Sequence, residues 1–198
     1  MELYIARHGE TLSNVEMRLT GGKSNSPLTE SGIEQAKQLG KLLEDVAFDA
    51  VYSSPLKRAV DTVNIAFGSK YKICTDERLE EIHLGIMEGM KYVEASAKFP
   101  DSGMLFYTEP ALYKPPEGGE SLNDMIKRFN SFINYLKDKN YNKVFALTHG
   151  YALRVLYACM IDGRVETIGK APHYSNCALA HYIYDNNKWE LNVKPAVV

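Results

Sequence analysis

The sequence predicts an α/β layer fold with a largely parallel central sheet, and two features of its pattern lead to that prediction. Short apolar runs typical of strands alternate along the chain with longer segments whose apolar residues recur at helical spacing. The run at residues 144–147 is apolar without interruption, as in the central strands of parallel sheets. With 198 residues, 45% of them hydrophobic, the chain is expected to form one domain over residues 1–198 with a substantial core.

The first half of the chain predicts strands and helices in strict alternation. Each strand is a short run rich in β-branched and aromatic residues. The first helix begins after Thr29, whose hydroxyl can accept a hydrogen bond from the first turn. The predicted order is strand 3–6, polar loop 13–27, a helix from Thr29 through Leu43, strand 50–53, helix 56–66 and strand 71–75.

The second half begins with an irregular segment, residues 91–119, that is rich in proline, glycine and aromatic residues. Long irregular segments within a compact domain are usually functional, so we interpret it as a lid or specificity insertion. Ser121 then starts the clearest amphipathic helix, with Asp124 at capping-box spacing. The remaining predicted elements are strand 144–147, helix 152–160 and a closing hairpin of strands 178–184 and 189–193.

Composition excludes several classes of function. The net charge is −2 without a dense basic stripe, which argues against a nucleic-acid surface. No apolar run approaches membrane-spanning length, and the N-terminus lacks a signal-peptide pattern. The three cysteines, Cys74, Cys159 and Cys177, are expected to be reduced core residues, which predicts a cytoplasmic protein. The sequence leaves the oligomeric state open, and a homo-oligomer is compatible with it.

Two histidines stand in the same context, each directly after a predicted strand and before a glycine. They are His8, preceded by Arg7, and His149, followed by Gly150. Because the carboxyl ends of parallel strands meet at one edge of a sheet, both imidazoles are expected to converge on one crevice. An imidazole can attack phosphorus, and a guanidinium can hold phosphate oxygens in a fixed fork. Taken alone, each histidine could equally be a solvated turn residue.

Two further segments carry candidate chemistry. Arg58 lies in the first turn of the helix that follows the second strand, where backbone N–H groups attract anions. The segment Leu79–Gly89 contains the adjacent acids Glu80 and Glu81. A positively charged phosphate pocket requires a proton donor for the leaving alcohol, and a carboxylic acid suits that role.

In this order, the motifs resemble the histidine phosphatase superfamily, in the branch of the cofactor-dependent phosphoglycerate mutases and related small phosphatases. The resemblance spans nearly the whole chain. It rests on Arg7-His8-Gly9-Glu10-Thr11 with Asn14, Ser54-Pro55-Leu56 with Arg58-Ala59 and Asp61-Thr62, Leu79 with Glu81 and Gly85, Gly119-Glu120-Ser121, and Thr148-His149-Gly150. It implies a phosphoglycerate mutase-like fold: a three-layer α/β/α sandwich around a mainly parallel sheet, with one antiparallel strand near the C-terminal hairpin.

The resemblance also implies a role for each matching residue. His8 would be the nucleophile that becomes phosphohistidine, and Arg7, Arg58 and His149 would clamp the phosphoryl oxygens. Glu81 would be the general acid and base, with Glu80 disfavoured by its spacing from Leu79. Asn14, Gly150 and the loop residues Thr20 and Gly21 would contact substrate. No metal-ligand spacing or phosphate-binding glycine loop occurs, so we expect neither a metal nor another cofactor.

The remaining choice is the phosphoryl acceptor, water or a sugar acid. The segment 91–119 has only Lys91, Lys98 and Lys114 as cations, which is little for a pocket that holds two anionic ligands. Its aromatic residues suggest a partly apolar alcohol, although they could simply pack the segment against the body. We therefore predict metal-independent hydrolysis of a small phosphomonoester. The alternatives are a phosphoglycerate mutase and a non-catalytic module that recognises phosphate.

Overall fold

The computed structural model describes the backbone of residues 1–196 and the side-chain surroundings of residues 1–192. The strands are β1 (Glu2–Arg7), β2 (Ala50–Ser53), β3 (Ile73–Thr75), β4 (Lys143–Thr148), β5 (Leu179–Asp185) and β6 (Lys188–Ala196). The helices are α1 (Leu12–Val15), α2 (Glu30–Leu42), α3 (Lys57–Phe67), α4 (Tyr92–Lys98), α5 (Leu105–Thr108), α6 (Leu122–Lys137), α7 (Gly150–Ile161) and α8 (Val165–Ile168). Short 3₁₀ turns cover Glu77–Leu79, Gly85–Met87 and Pro110–Leu112.

The strands form one six-stranded sheet in the order β3-β2-β4-β1-β5-β6. Strands β1 to β4 are mutually parallel, β5 pairs antiparallel with β1, and β6 pairs antiparallel with β5. Hence β5 alone opposes the other strands, which confirms the predicted mainly parallel sheet. The β5–β6 turn uses Asn186 and Asn187 at φ of 48° and 63°, a conformation that asparagine tolerates in tight hairpins.

Helices cover both faces of the sheet, which confirms the three-layer architecture. Alternate residues of a strand point to opposite faces, so Leu3 and Ile5 of β1 pack with one hydrophobic cluster and Ala6 with another. The first cluster includes buried residues of α6 and α7, and the second includes buried residues of α2 and α3. Each face therefore has its own helical layer.

Three local expectations need correction. The loop predicted over residues 13–27 contains most of α1, whose first turn is capped by the Thr11 side chain. Cys177 is buried and Cys159 half-buried, but Cys74 is exposed, because it lies on the edge strand β3. At α6, the Ser121 hydroxyl accepts from the Asp124 N–H as predicted, but it donates to the Asp124 carboxylate, so no capping box forms there.

The carboxyl ends of β1 and β4 lie side by side at the centre of the sheet. Their register pairs Arg7 with Thr148, so the residues that follow, His8 and His149, emerge next to each other. The His8 N–H extends this ladder by donating to the Thr148 carbonyl at 3.0 Å. None of the helices described is long and apolar enough to cross a membrane.

Candidate active site

The two imidazoles predicted to converge lie in contact. The ring centres of His8 and His149 are 5.1 Å apart, with their planes inclined at 59°, and no hydrocarbon separates them. Both side chains are buried. The parallel β1–β4 pairing produces this arrangement, since it places the ends of two sequence-distant strands at the same height.

His8 is held as a neutral imidazole with one defined tautomer. Its Nδ1 lies 2.7 Å from the Gly9 carbonyl oxygen. A carbonyl can only accept, so Nδ1 carries the proton and Nε2 keeps its lone pair. Burial lowers the pKa of His8 well below its usual value, and the nearby charges of Arg58 and Arg7 lower it further. His8 also lines the cavity described below.

His149 has the opposite tautomer. Arg58 Nε donates to its Nδ1 at 3.2 Å, so the proton lies on Nε2, which donates to the Ser54 hydroxyl at 2.7 Å. Burial is the main cause of a pKa of His149 well below its usual value, followed by the charge of Arg58. His149 is therefore a fixed neutral donor beside the nucleophile.

Arg58 is almost completely buried, and each of its three guanidinium nitrogens donates to a group of the protein. Besides the bond to His149, it donates to the carbonyls of Ser24 at 2.6 Å and Gly21 at 3.2 Å. Burial lowers the pKa of Arg58 to about 10, so the group remains charged at neutral pH. Arg58 thus joins the loop after α1 to His149 and adds positive charge behind His8.

Arg7 and Asn14 each leave donor groups for a ligand. Arg7 Nη1 donates to the Tyr174 carbonyl at 2.8 Å, and its Nε is buried without a partner among the described residues. The Oδ1 of Asn14 lies within 3.1 Å of donors on Thr11 and Asn176, so its amide NH₂ is free to donate elsewhere. Both residues line the same cavity as His8.

Glu81 occupies the position predicted for the proton donor. Its Oε1 accepts from the N–H groups of Ile82 at 3.0 Å and Ala152 at 2.9 Å, and its Oε2 accepts from Tyr151 N–H at 3.0 Å. Tyr151 and Ala152 belong to the first turn of α7, so the carboxyl group lies at a helix N-terminus. Burial nevertheless raises the pKa of Glu81 above its usual value, against these hydrogen bonds and the nearby arginines.

The neighbouring acid, Glu80, is directed away from the nucleophile. Its carboxylate lies 3.1 Å from His83 Nε2, and it does not line the cavity. The choice of Glu81 over Glu80 made from sequence spacing therefore agrees with the position of the two side chains.

Arg7, His8, Asn14 and Glu81 line a cavity of about 360 Å³. The lining combines these polar groups with apolar and aromatic side chains, several of them from the segment 91–119. The lining residues are Arg7, His8, Asn14, Leu19, Thr20, Glu81, Ile82, Leu84, Tyr92, Met104, Phe106, Tyr107, Gly150, Tyr151, Arg154, His173 and Tyr174. The segment predicted to be a lid or specificity insertion therefore forms one wall of the cavity.

Three residues predicted to contact substrate, Gly21, Arg58 and His149, are absent from the cavity lining. Arg58 and His149 do not line the cavity, and each nitrogen of their side-chain groups contacts another group of the protein. Gly21 is buried and presents its carbonyl to Arg58, while its neighbour Thr20 reaches the cavity. The N-terminus of α3, predicted to face an anion, is absent from the lining as well.

The lining includes Gly150, which the sequence reasoning predicted, and two further residues of α7 that it missed, Tyr151 and Arg154. Gly150 and Tyr151 bring the first turn of this helix to the cavity, and Arg154 follows one turn later. The spacing of Arg154 from His149 would have put it near the site, but an isolated arginine in an apolar helix gives no functional signal. Gly150 has a steric reason: a Cβ there would lie 3.2 Å from Arg7 Nε. Among the described residues, no cluster of three or more histidine, cysteine or acidic side chains could hold a metal ion.

Comparisons with known proteins show the family of the chain. A family model described as the histidine phosphatase superfamily (branch 1) matches residues 3–194. The chain is 32% identical to "Phosphoglycerate mutase-like protein 4" of Arabidopsis thaliana, over 97% of this chain and 84% of that protein. It is 33% identical to "Metal-independent phosphoserine phosphatase" of the same plant, over 79% of this chain and 67% of that protein. The crystal structure of the alpha-ribazole phosphatase from Shigella flexneri superimposes with a TM-score of 0.88 at 26% identity, covering 99% of this chain and 96% of that one.

Proposed function

The chain belongs to the histidine phosphatase superfamily, and on that premise we propose that it hydrolyses a small phosphomonoester through a phosphohistidine formed on His8. The observation that carries this proposal is the tautomer of His8. Its Nδ1 proton is fixed by the Gly9 carbonyl, and its neutral Nε2 belongs to a side chain in the cavity wall. A neutral imidazole with a directed lone pair is what attack on phosphorus requires.

In the first step, His8 Nε2 forms a bond to phosphorus while the bond from phosphorus to the ester oxygen breaks. The alcohol departs with the proton of Glu81, whose raised pKa favours the protonated form that this step needs. In the second step, water attacks phosphorus, the phosphorus–nitrogen bond breaks, and Glu81 accepts the proton of the water. Atoms and charge balance without a metal.

The phosphoryl oxygens would be bound by the free donors of Arg7 and Asn14, with the first turn of α7 adding its positive dipole end. Phosphoryl transfer depends mostly on positioning and charge stabilisation, so such fixed donors supply the main catalytic requirement. Arg58 and His149 would act from behind His8. They would keep His8 neutral and raise the positive potential of the site, a role that differs from the direct clamp expected from the sequence.

Water is favoured over a sugar acid as the phosphoryl acceptor by the lining of the cavity. Lys91, Lys98 and Lys114, the cations of the insertion, are exposed and do not line it. The names of the relatives include both phosphatases and mutase-like proteins. An assay is therefore needed to distinguish water from a sugar acid as the phosphoryl acceptor.

The proposal is tested with purified protein, an alkyl phosphomonoester and excess EDTA. Phosphate release that survives EDTA, with an acid-labile phosphoenzyme that is lost in His8→Ala, is expected. The Glu80→Gln variant is a matched control on an acid that does not line the cavity. Binding of phosphate esters without turnover would instead identify a recognition module. Conversion of 3-phosphoglycerate to 2-phosphoglycerate without phosphate release would identify a mutase.

A further inference from the structure

The cavity contains a second arginine that the proposed phosphoryl transfer does not use. Arg154 lies on α7 and lines the same cavity as His8 and Arg7, yet only 8% of its surface is exposed. A guanidinium stays charged at any ordinary pH. The protein therefore holds a buried positive charge beside its candidate active site.

The contacts of Arg154 leave its charge unneutralised. Its Nη2 donates to the carbonyls of Tyr107 at 3.3 Å and Ile168 at 3.4 Å, which are long for hydrogen bonds. Its Nε is buried without a partner, and within residues 1–192 no acceptor bonds to its Nη1 and no carboxylate forms an ion pair with it. The guanidinium carbon lies 4.1 Å from the centre of the Tyr107 ring, a cation–π contact.

Another arginine in the same protein shows how differently a structural guanidinium is treated. Arg128 of α6 forms two bonds with the Glu120 carboxylate, at 2.7 and 3.0 Å, and donates to the carbonyls of Arg78 and Glu80 at 2.7 and 2.9 Å. Its charge is balanced and its donors are used. Burial deprives an unpaired cation of its solvation, and a cation–π contact restores only part of this loss. Arg154 therefore requires an anion that the described chain does not provide.

The size of the cavity allows such an anion to belong to the substrate. Its volume of about 360 Å³ falls in the range that holds whole small molecules, larger than one phosphoryl group. Tyr107, on which Arg154 stacks, comes from the insertion, so the aromatic wall supports the guanidinium as well as providing apolar surface.

We propose that Arg154 binds a second anionic group, a carboxylate or a phosphate, on the alcohol portion of the substrate. This rests on the proposed phosphomonoester hydrolysis and narrows its substrate class to phosphomonoesters that carry an additional negative charge. It also replaces the partly apolar alcohol expected from the aromatic residues of the sequence.

The test compares three substrates of similar length at constant ionic strength: 3-(phosphonooxy)propanoate, its neutral amide, and propane-1,3-diyl bisphosphate. A hydrogen bond to a charged group contributes about 1.5–3 kcal/mol, so kcat/KM of the wild type should favour an anionic substrate over the amide by roughly 10- to 150-fold. Whichever of the carboxylate and the bisphosphate shows the larger preference identifies the anion.

The anion preference should fall to within about threefold in Arg154→Met and be partly retained in Arg154→Lys, which keeps the charge but loses the planar fork. Arg164→Met is the matched control, because Arg164 is an exposed arginine paired with Asp162 after α7. Equal kcat/KM for the amide and both anions in the wild type would overturn the inference, and this result needs no variant to fold. A preference for the anionic substrates that persists in Arg154→Met would also overturn the inference. Failure of all three substrates, without a phosphoenzyme, would instead refute the proposed hydrolysis.

Discussion

Replacing Glu81 with glutamine removes the atom that carries the proton and preserves the shape of the side chain. The amide oxygen can take the place of Oε1, which accepts from Ile82 and Ala152. The amide NH₂ then faces the Tyr151 N–H, which bonds to Oε2 in the wild type at 3.0 Å. Two donors in opposition leave one buried N–H unsatisfied. The expected loss in the free energy of unfolding is about 1–3 kcal/mol, which a folded domain of this size tolerates.

The expected effect on rate is larger and depends on the leaving group. General acid catalysis contributes about 10²- to 10⁴-fold, equivalent to roughly 2.7–5.5 kcal/mol of barrier. An alkyl phosphate needs the proton for its leaving alkoxide, so Glu81→Gln should lose this factor in the first step. A dinitrophenyl phosphate releases a stable anion and needs no proton at that step, but hydrolysis of the phosphoenzyme still lacks its base.

Stopped-flow measurement with 2,4-dinitrophenyl phosphate should therefore give a burst equal to the enzyme concentration in Glu81→Gln, followed by slow turnover. With an alkyl phosphate the same variant should show no burst. Glu80→Gln should behave as wild type, because Glu80 contacts His83 outside the cavity. Full alkyl phosphatase activity in Glu81→Gln, or the loss appearing in Glu80→Gln, would refute the assignment of the acid.

Two other outcomes follow from the packing around the nucleophile. Gly150→Ala places a Cβ 3.2 Å from Arg7 Nε, so kcat/KM should fall by roughly 10- to 100-fold. The midpoint temperature of thermal unfolding should stay unchanged or rise slightly, because alanine favours the helix. Unchanged kinetics would contradict the steric argument. Burial lowers the pKa of both His8 and His149. Below about pH 6.5 the unfolded chain therefore takes up protons that the folded protein does not. The free energy of unfolding should then fall by about 1.4 kcal/mol per pH unit for each histidine. Glu81, whose pKa is raised, contributes to the free energy of unfolding with the opposite sign at acidic pH. Urea unfolding between pH 7.5 and 5.5 should still show a net fall in this free energy as the pH decreases. A free energy of unfolding that does not change over this range would count against the buried neutral histidines.

Local patterns in the sequence were sufficient to place the elements that build the site. Strands were predicted within one or two residues at β1, β2 and β4, because apolar runs at buried strands are continuous. Their ends carried the two histidine-glycine pairs, and the parallel sheet then required those histidines to meet. The sequence also predicted that Glu81 would lie beside the phosphate pocket, and in the structure Glu81 is buried and lines the cavity. These features depend on chain order and spacing, which the sequence contains directly.

Tertiary structure alone decided which donors are free for a ligand. Arg7 and Arg58 look equivalent in the sequence, because both are arginines within motifs. In the structure, each guanidinium nitrogen of Arg58 donates to His149 or to a loop carbonyl, whereas Arg7 donates through Nη1 to a single carbonyl. Arg154 resembled any arginine in an apolar helix until the fold showed it unpaired in the cavity wall. The physical reason is that a hydrogen-bond donor is satisfied or left free by groups from distant segments, whose approach no local pattern encodes.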